Sequence, residues 1–379
     1  MKIKRVDLNT IYNSINEPTI EVSVNDIFKA SSGGDGNLNS LINENPSEEL
    51  SVDFLSKILN NGLYNYNVDS FEDILEVEEI LLSYDKSDQL NKLGCNILLS
   101  LEFALLKLIT NNKPFLALNK HPDKFPLHLC NCIVTNFSPN KPGFQETLLI
   151  PKTNKFSDSF FANSYVHKRL NNILKTTERN YYGSYISEMK KENVLFYLEK
   201  LTNEVTKKLG IEFSFGLNIN SESIFKDNIY KVGKENFLIN EHINEINKLT
   251  NRFDIEYLED PLSSKDIDLS AKIKVDYISG NRLIKSNLQN LKEFAKHFNC
   301  VVIKLNEVGS LGRLKKIVDF CKNNDINTIL GQTLGETNDT ILSDIAVGFD
   351  FDFIKYNIHG KERSLKLNEL KRIENEYFS

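Results

Sequence analysis

Seven apolar runs in this chain carry polar residues at one end. In order these are Glu146, Asn218, Glu259-Asp260, Asn281-Arg282, Lys304, Gln332 and Lys355. Two lysines and two carboxylates, Glu146 and Glu259, gathered at one place would suit proton transfer. Crowded positive charge lowers a lysine pKa and makes the amine usable as a base. Arg282 turned inward with Lys304 and Lys355 would add a third cation and suit an organic anion held without metal; turned outward it would pair with Asp260 or meet solvent. Taken singly, a Lys or Glu closing an apolar run is also where a strand meets water.

Bringing these ends together requires a particular scaffold. From LCNCIVTN onward, short apolar strands (QETLLIP, FSFGLNI, IEYLEDP, VDYISG, CVVIKLN, NTILGQ, FDFIKYN) alternate with amphipathic runs such as SLGRLKKIVDFCKNN. That rhythm over about 250 residues predicts an α/β barrel, in which chemistry collects at the C-terminal ends of the strands. Before it the texture differs. IKRVDLNTIYN and TIEVSV alternate as half-buried strands with a turn at Glu17-Pro18, and SSGGDGN reads as a flexible loop. FEDILEVEEILLSY and NILLSLEFALLKLITN space their apolar residues by three and four, which predicts helices. The expected division is an α+β domain over residues 1–125 and the barrel over 126–379.

Composition narrows the function classes. A chain of 379 residues with 40% hydrophobic and 26% charged content builds a large soluble fold. Its net charge of −6 speaks against general nucleic-acid binding, which needs a basic surface. No apolar stretch approaches the length of a membrane span and the N-terminus has no signal-peptide core, so a cytoplasmic protein is expected. Cys95, Cys130, Cys132, Cys300 and Cys321 lack CxxC spacing and lie largely in apolar runs, so free buried thiols are expected rather than a zinc site.

Several stretches carry a specific resemblance. YLEDPL, CVVIKLNEVGSLGRL, LGETNDTILSDIAVGF and FIKYN resemble, in the same order, successive motifs of enolase, the phosphopyruvate hydratase of glycolysis. IYNSINEPTIEVSV looks like its opening hairpin, LGCNILLSLEFALLK like a helix of its N-terminal domain and QETLLIP like its second barrel strand. The resemblance covers nearly the whole chain. It implies an enolase-like N-terminal α+β domain followed by a TIM-type (β/α)8 barrel, a homodimer, and Mg²⁺ with a lysine base acting on 2-phosphoglycerate. Residue by residue it places Lys304 as the base, Lys355 on the substrate carboxylate, Glu259 on the metal and Glu146 near the leaving hydroxyl.

Other family positions are changed. Two metal aspartates are replaced by Asn218, in GLNI, and Asn281, in GNRL. The three-carboxylate shell thereby falls from about −3 to about −1, and Mg²⁺, which is held by anionic oxygens, is expected to bind weakly or not at all. The family's Ser-His-Arg-Ser, whose arginine grips phosphate, is here Gly331, Gln332, Thr333 and Leu334. The following GETNDT is retained as a turn, with Thr337 or Asn338 able to cap the next helix. No Gly-Asp-Glu-Gly-Gly loop lies between KKLGIEFSF and GLNI, and Phe137 stands where the family has a catalytic-loop histidine. Three readings stay open: a divergent enzyme that acts on another small carboxylate through Lys304, with Gln332 and Arg282 near the substrate; a non-catalytic interaction or regulatory protein; and ordinary enolase.

Overall fold

A computed structural model describes residues 1–35, 41–46, 52–122, 124–135 and 145–378. Strands β1 (Val6–Tyr12), β2 (Pro18–Val24) and β3 (Phe28–Ser31) form an antiparallel sheet in which Val6 faces Val24 and Tyr12 faces Pro18. The turn spans residues 13–17, not Glu17-Pro18 alone. Asn13 Oδ1 accepts the N–H groups of Ile15 and Glu17, and Pro18, which has no N–H to donate, takes the first position of its strand.

Helices α1 (Val52–Leu63), α2 (Phe71–Asp85) and α3 (Cys95–Thr110) complete this part. Helix α2 starts at a reciprocal cap between Ser70 and Asp73. Every residue of α3 from Cys95 to Leu106 is buried, so it is a central helix covered on all sides.

The barrel strands are β4 (Leu127–Thr135), β5 (Glu146–Pro151), β7 (Phe213–Asn218), β8 (Ile255–Glu259), β9 (Tyr277–Gly280), β10 (Cys300–Ile303), β11 (Asn327–Gly331) and β12 (Phe353–Lys355). Pairing of β12 with β4 closes the ring, and the short β6 (Tyr185–Ser187) adds to β4 from outside it. All eight predicted strands are present. Leu129, Leu148, Ile150, Tyr257, Val302 and Ile329 fill the interior as a packed core.

Two expectations need correction. Strand β5 runs antiparallel to both β4 and β7, so Glu146 reaches the mouth by opening its strand rather than ending it. And β8 is followed by a 3-10 turn, Ile267–Lys272, rather than by an α-helix.

The helical part meets the barrel at the N-terminus of the helix Leu311–Asn323. There Glu78 accepts Ser310 Oγ at 2.6 Å and Gly312 N–H at 2.7 Å, while the buried Glu102 accepts Leu311 N–H at 3.0 Å. Burial, and then the adjoining Glu78, hold Glu102 well above the usual carboxylate range, which favours its neutral form in the fold. A carboxyl with a raised folded pKa keeps a proton that the unfolded chain releases, so stability falls as pH rises above about 4.5. Glu102→Gln keeps the shape and removes the ionisation. The melting temperature of this variant should exceed that of the parent by several degrees at pH 8 and by little at pH 5; identical pH slopes in the two proteins would show that Glu102 is ionised after all.

Candidate active site

The register of three adjacent strands lines up the chemistry: Glu146 lies opposite Asn218, and Asn218 opposite Glu259. Glu259 is fully buried. Its Oε1 accepts Asn281 Nδ2 at 2.7 Å and Lys355 Nζ at 2.9 Å; its Oε2 accepts Lys355 Nζ at 2.8 Å and the Tyr257 hydroxyl at 2.7 Å. Glu146 accepts Asn131 Nδ2 at 2.9 Å, Asn218 Nδ2 at 3.0 Å and Lys355 Nζ at 2.5 Å. Burial opposes ionisation of Glu146, but the Lys355 charge and the amide donors outweigh it and lower its pKa. Burial likewise opposes the Lys355 charge, yet the two carboxylates raise its pKa.

This arrangement bears on the metal. Mg²⁺ asks for about six oxygens, some of them anionic. Here the amides at two of the family's metal positions turn their N–H groups toward Glu146 and Glu259, and an ammonium bridges the two carboxylates. The buried Oδ1 atoms of Asn131 and Asn218 have no hydrogen-bond partner among the described residues, which leaves two neutral carbonyls uncommitted. The donor set does not fit a six-coordinate dication. Asp260 is no substitute, since its carboxylate is held by the N–H groups of Asn281 and Arg282 at 2.9 and 2.8 Å. Burial and then the Glu259 charge push its pKa up to about 7.

Lys304 has its own partners. Its Nζ lies 2.9 Å from Asp35 Oδ2 and 3.7 Å from Glu307 Oε1, with the Tyr182 ring centroid at 6.0 Å. Burial alone would lower its pKa; Tyr182, Asp35 and Glu307 together raise it well above the usual lysine value. Each lysine is thus wedged between carboxylates, which act opposite to the crowded positive charge expected to lower a lysine pKa.

The retained turn is also built differently from expectation. Gln332 Oε1 accepts the N–H of Asn357 and the Nε–H of Arg363, and its Nε2 donates to the Tyr182 carbonyl at 3.4 Å, so the side chain ties loops together. Thr333 donates through its N–H and hydroxyl to Glu336, which pairs with the buried Lys366. The N–H of Ile341, which opens the helix Ile341–Gly348, is met by Asp339 Oδ1 and not by Thr337 or Asn338, and the Thr337 hydroxyl turns instead to the Ser31 carbonyl.

Seven predicted residues, Glu146, Asn218, Asn281, Arg282, Lys304, Gln332 and Lys355, line one cavity of about 40 Å³, with Glu259 beneath. Arg282 is among the residues lining this cavity and forms no ion pair among the described residues; its backbone N–H engages Asp260. A larger cleft of about 720 Å³ between the β1–β2 turn and residues 336–340 contains none of the predicted catalytic, substrate or metal residues.

Sequence reasoning missed Asp35, Asn131, Tyr182 and Tyr257. Tyr257 was findable, since it lies two residues before Glu259 and shares its face of the strand. Tyr182 comes from a loop earlier in the chain than the stretch searched for Gly-Asp-Glu-Gly-Gly, and it brings a phenol to Lys304 where a carboxylate was sought. Phe137 falls outside the described residues. All five cysteines are free and buried.

Comparison with known proteins places this geometry in context. A family model described as "Enolase, C-terminal TIM barrel domain" matches residues 125–379. Proteins named "Enolase" from Sulfolobus acidocaldarius, Archaeoglobus fulgidus and Sulfurisphaera tokodaii are similar to the chain at 26%, 28% and 25% identity. The aligned regions cover 86%, 79% and 99% of this chain and 82%, 78% and 96% of those proteins.

Proposed function

The chain belongs to the enolase family, and from its barrel mouth we propose that it does not work as a magnesium-dependent hydratase of 2-phosphoglycerate. It uses the enolase scaffold as a metal-free, internally ion-paired protein with a non-catalytic interaction or regulatory role. One observation carries this reading: every oxygen of Glu259 is taken by Lys355, Asn281 or Tyr257, so an ammonium and an amide occupy the carboxylate that family resemblance assigns to the metal. The lysine assigned as base is raised rather than lowered in pKa, which leaves it protonated at neutral pH. Electrostatic stabilisation supplies most of the rate in chemistry of this kind, and Asn218, Asn281 and Thr333 stand where family resemblance places two metal carboxylates and the phosphate-gripping arginine.

A second reading is favoured by Arg282, a cavity-lining residue that forms no ion pair among the described residues. It makes the chain a divergent lyase that abstracts a proton from another small carboxylate through Lys304. A cytoplasmic homodimer belongs to either reading by family resemblance, and no helix among the described residues is long and apolar enough to cross a membrane.

The test is one titration. The melting temperature should move by less than about 1 °C between millimolar Mg²⁺ and EDTA, because a ligand stabilises a fold only above its dissociation constant. Absorbance should show no phosphoenolpyruvate formed from 2-phosphoglycerate. A rise of several degrees together with product would restore ordinary enolase. Turnover of a different carboxylate, lost in Lys304→Met, would select the second reading.

A further inference from the structure

Asp35 lies just beyond β3, outside the barrel, yet its buried carboxylate sits at the barrel mouth. One oxygen meets the Lys304 ammonium at 2.9 Å and the other accepts the Leu334 N–H at 2.5 Å. An ammonium and a backbone N–H converging on two oxygens is how a protein holds a free carboxylate or phosphate. Here the chain supplies the anion itself.

The approach of this segment is built into the backbone. Gly34 and Gly335 exchange hydrogen bonds at 2.9 and 2.7 Å. A Cβ on Gly33 would lie 2.6 Å from Thr333 Oγ1 and 2.7 Å from the Gly335 carbonyl, and one on Gly34 would run into the Glu44 carboxylate. The missing Cβ of Gly33 is what lets the segment lie this close to Thr333 and Gly335. The Asp35 N–H is fixed by Glu44 Oε1 at 2.7 Å, and that oxygen also accepts Asn306 Nδ2 at 2.9 Å. Charge acts in the same direction: four carboxylates (Asp35, Glu307, Glu146 and Glu259) face three cations (Lys304, Lys355 and Arg282). An arriving anion meets a mouth whose positive charge is already matched.

We infer that Asp35 is an internal ligand that plugs the oxyanion place formed by Lys304 and the Leu334 N–H, so that small oxyanions bind only when this carboxylate is removed. The inference rests on the metal-free reading of the mouth. Its test therefore uses inorganic phosphate without metal or turnover, followed by thermal shift and by ³¹P line broadening.

The parent protein should show no saturable binding at millimolar phosphate. Asp35→Ala should bind at least about tenfold more tightly, since removing one matched charge beside a buried ammonium is worth more than one pKa-unit equivalent. Asp35→Asn, which keeps the side-chain volume, serves if the alanine variant does not fold. Adding Lys304→Met should abolish the gain. Equal phosphate binding by the parent, no binding by a folded Asp35 variant, or binding that survives Lys304→Met would each overturn the plug. Product from 2-phosphoglycerate with Mg²⁺ would overturn only the reading of the preceding subsection.

Discussion

Lys355→Met will destabilise the protein by about 3–5 kcal/mol at pH 7 in urea unfolding, the range found when one partner of a buried ion pair is removed. Lys355 bridges Glu146 and Glu259, all three side chains being 7% exposed or less. Without the ammonium, two carboxylates face each other with only amides and one phenol as donors. Burial then opposes ionisation of Glu146 without the ammonium to offset it, so the loss should grow as pH climbs from about 4.5 and shrink in acid. Adding Glu259→Gln should recover most of the stability, because it removes one charge and keeps the volume. A loss below about 1 kcal/mol for the single variant would mean that Lys355 is exposed to solvent and the pair is not formed.

The same bridge shows what a sequence makes legible. Eight strands could be read because each is a short apolar run, and seven site residues because a barrel delivers the polar ends of those runs to one mouth. The structure brings Lys304 and Lys355 to one cavity and sets carboxylates against both. Strand ends give both the cations and the carboxylates but not which meets which; that Lys355 lies between Glu146 and Glu259 follows from the register of β5 with β7 and of β7 with β8. Nothing in the run QETLLIP signals that it is antiparallel, yet that reversal brings Glu146 within 2.5 Å of Lys355.

Asp35 was hidden for a different reason. A Gly-rich stretch such as SSGGDGN reads as flexible because its residues accept many backbone conformations. What the fold uses at Gly33 is instead the missing Cβ, which lets the chain settle closely against a partner. The partner of Gly34 is Gly335, 301 positions away, at the end of the very stretch whose loss of Arg was legible. The need for a residue without a Cβ at Gly33 becomes visible only once Thr333 and Gly335 are adjacent to it in space. Tyr182 was missed because the family's glycine loop was sought after the helix Lys191–Leu209, whereas the loop that enters the mouth precedes it.

The amides at 218 and 281 lead to the second large effect. Asn218→Asp with Asn281→Asp will cost about 3–6 kcal/mol of stability in EDTA, since two hydrogen bonds to carboxylates, about 1.5–3 kcal/mol each, become like-charge contacts. Asn218 Nδ2 donates to Glu146 at 3.0 Å and Asn281 Nδ2 to Glu259 at 2.7 Å, so each substitution exchanges a donor for a repelling oxygen in a dry site. Millimolar Mg²⁺ should then return much of that loss and raise the melting temperature, because a three-carboxylate shell is again available and metal binds only the folded form. Turnover of 2-phosphoglycerate should nevertheless stay near background. Thr333 stands where the family's phosphate arginine is expected and spends its donors on Glu336, and Lys304 remains clamped by Asp35 and Glu307, so neither positioning nor a free base has been restored. A double variant that stabilises the metal-free protein would show that the two amides are not donors to the carboxylates. One that turns over 2-phosphoglycerate at an enzyme-like rate would show that charge at two metal positions was all the site lacked.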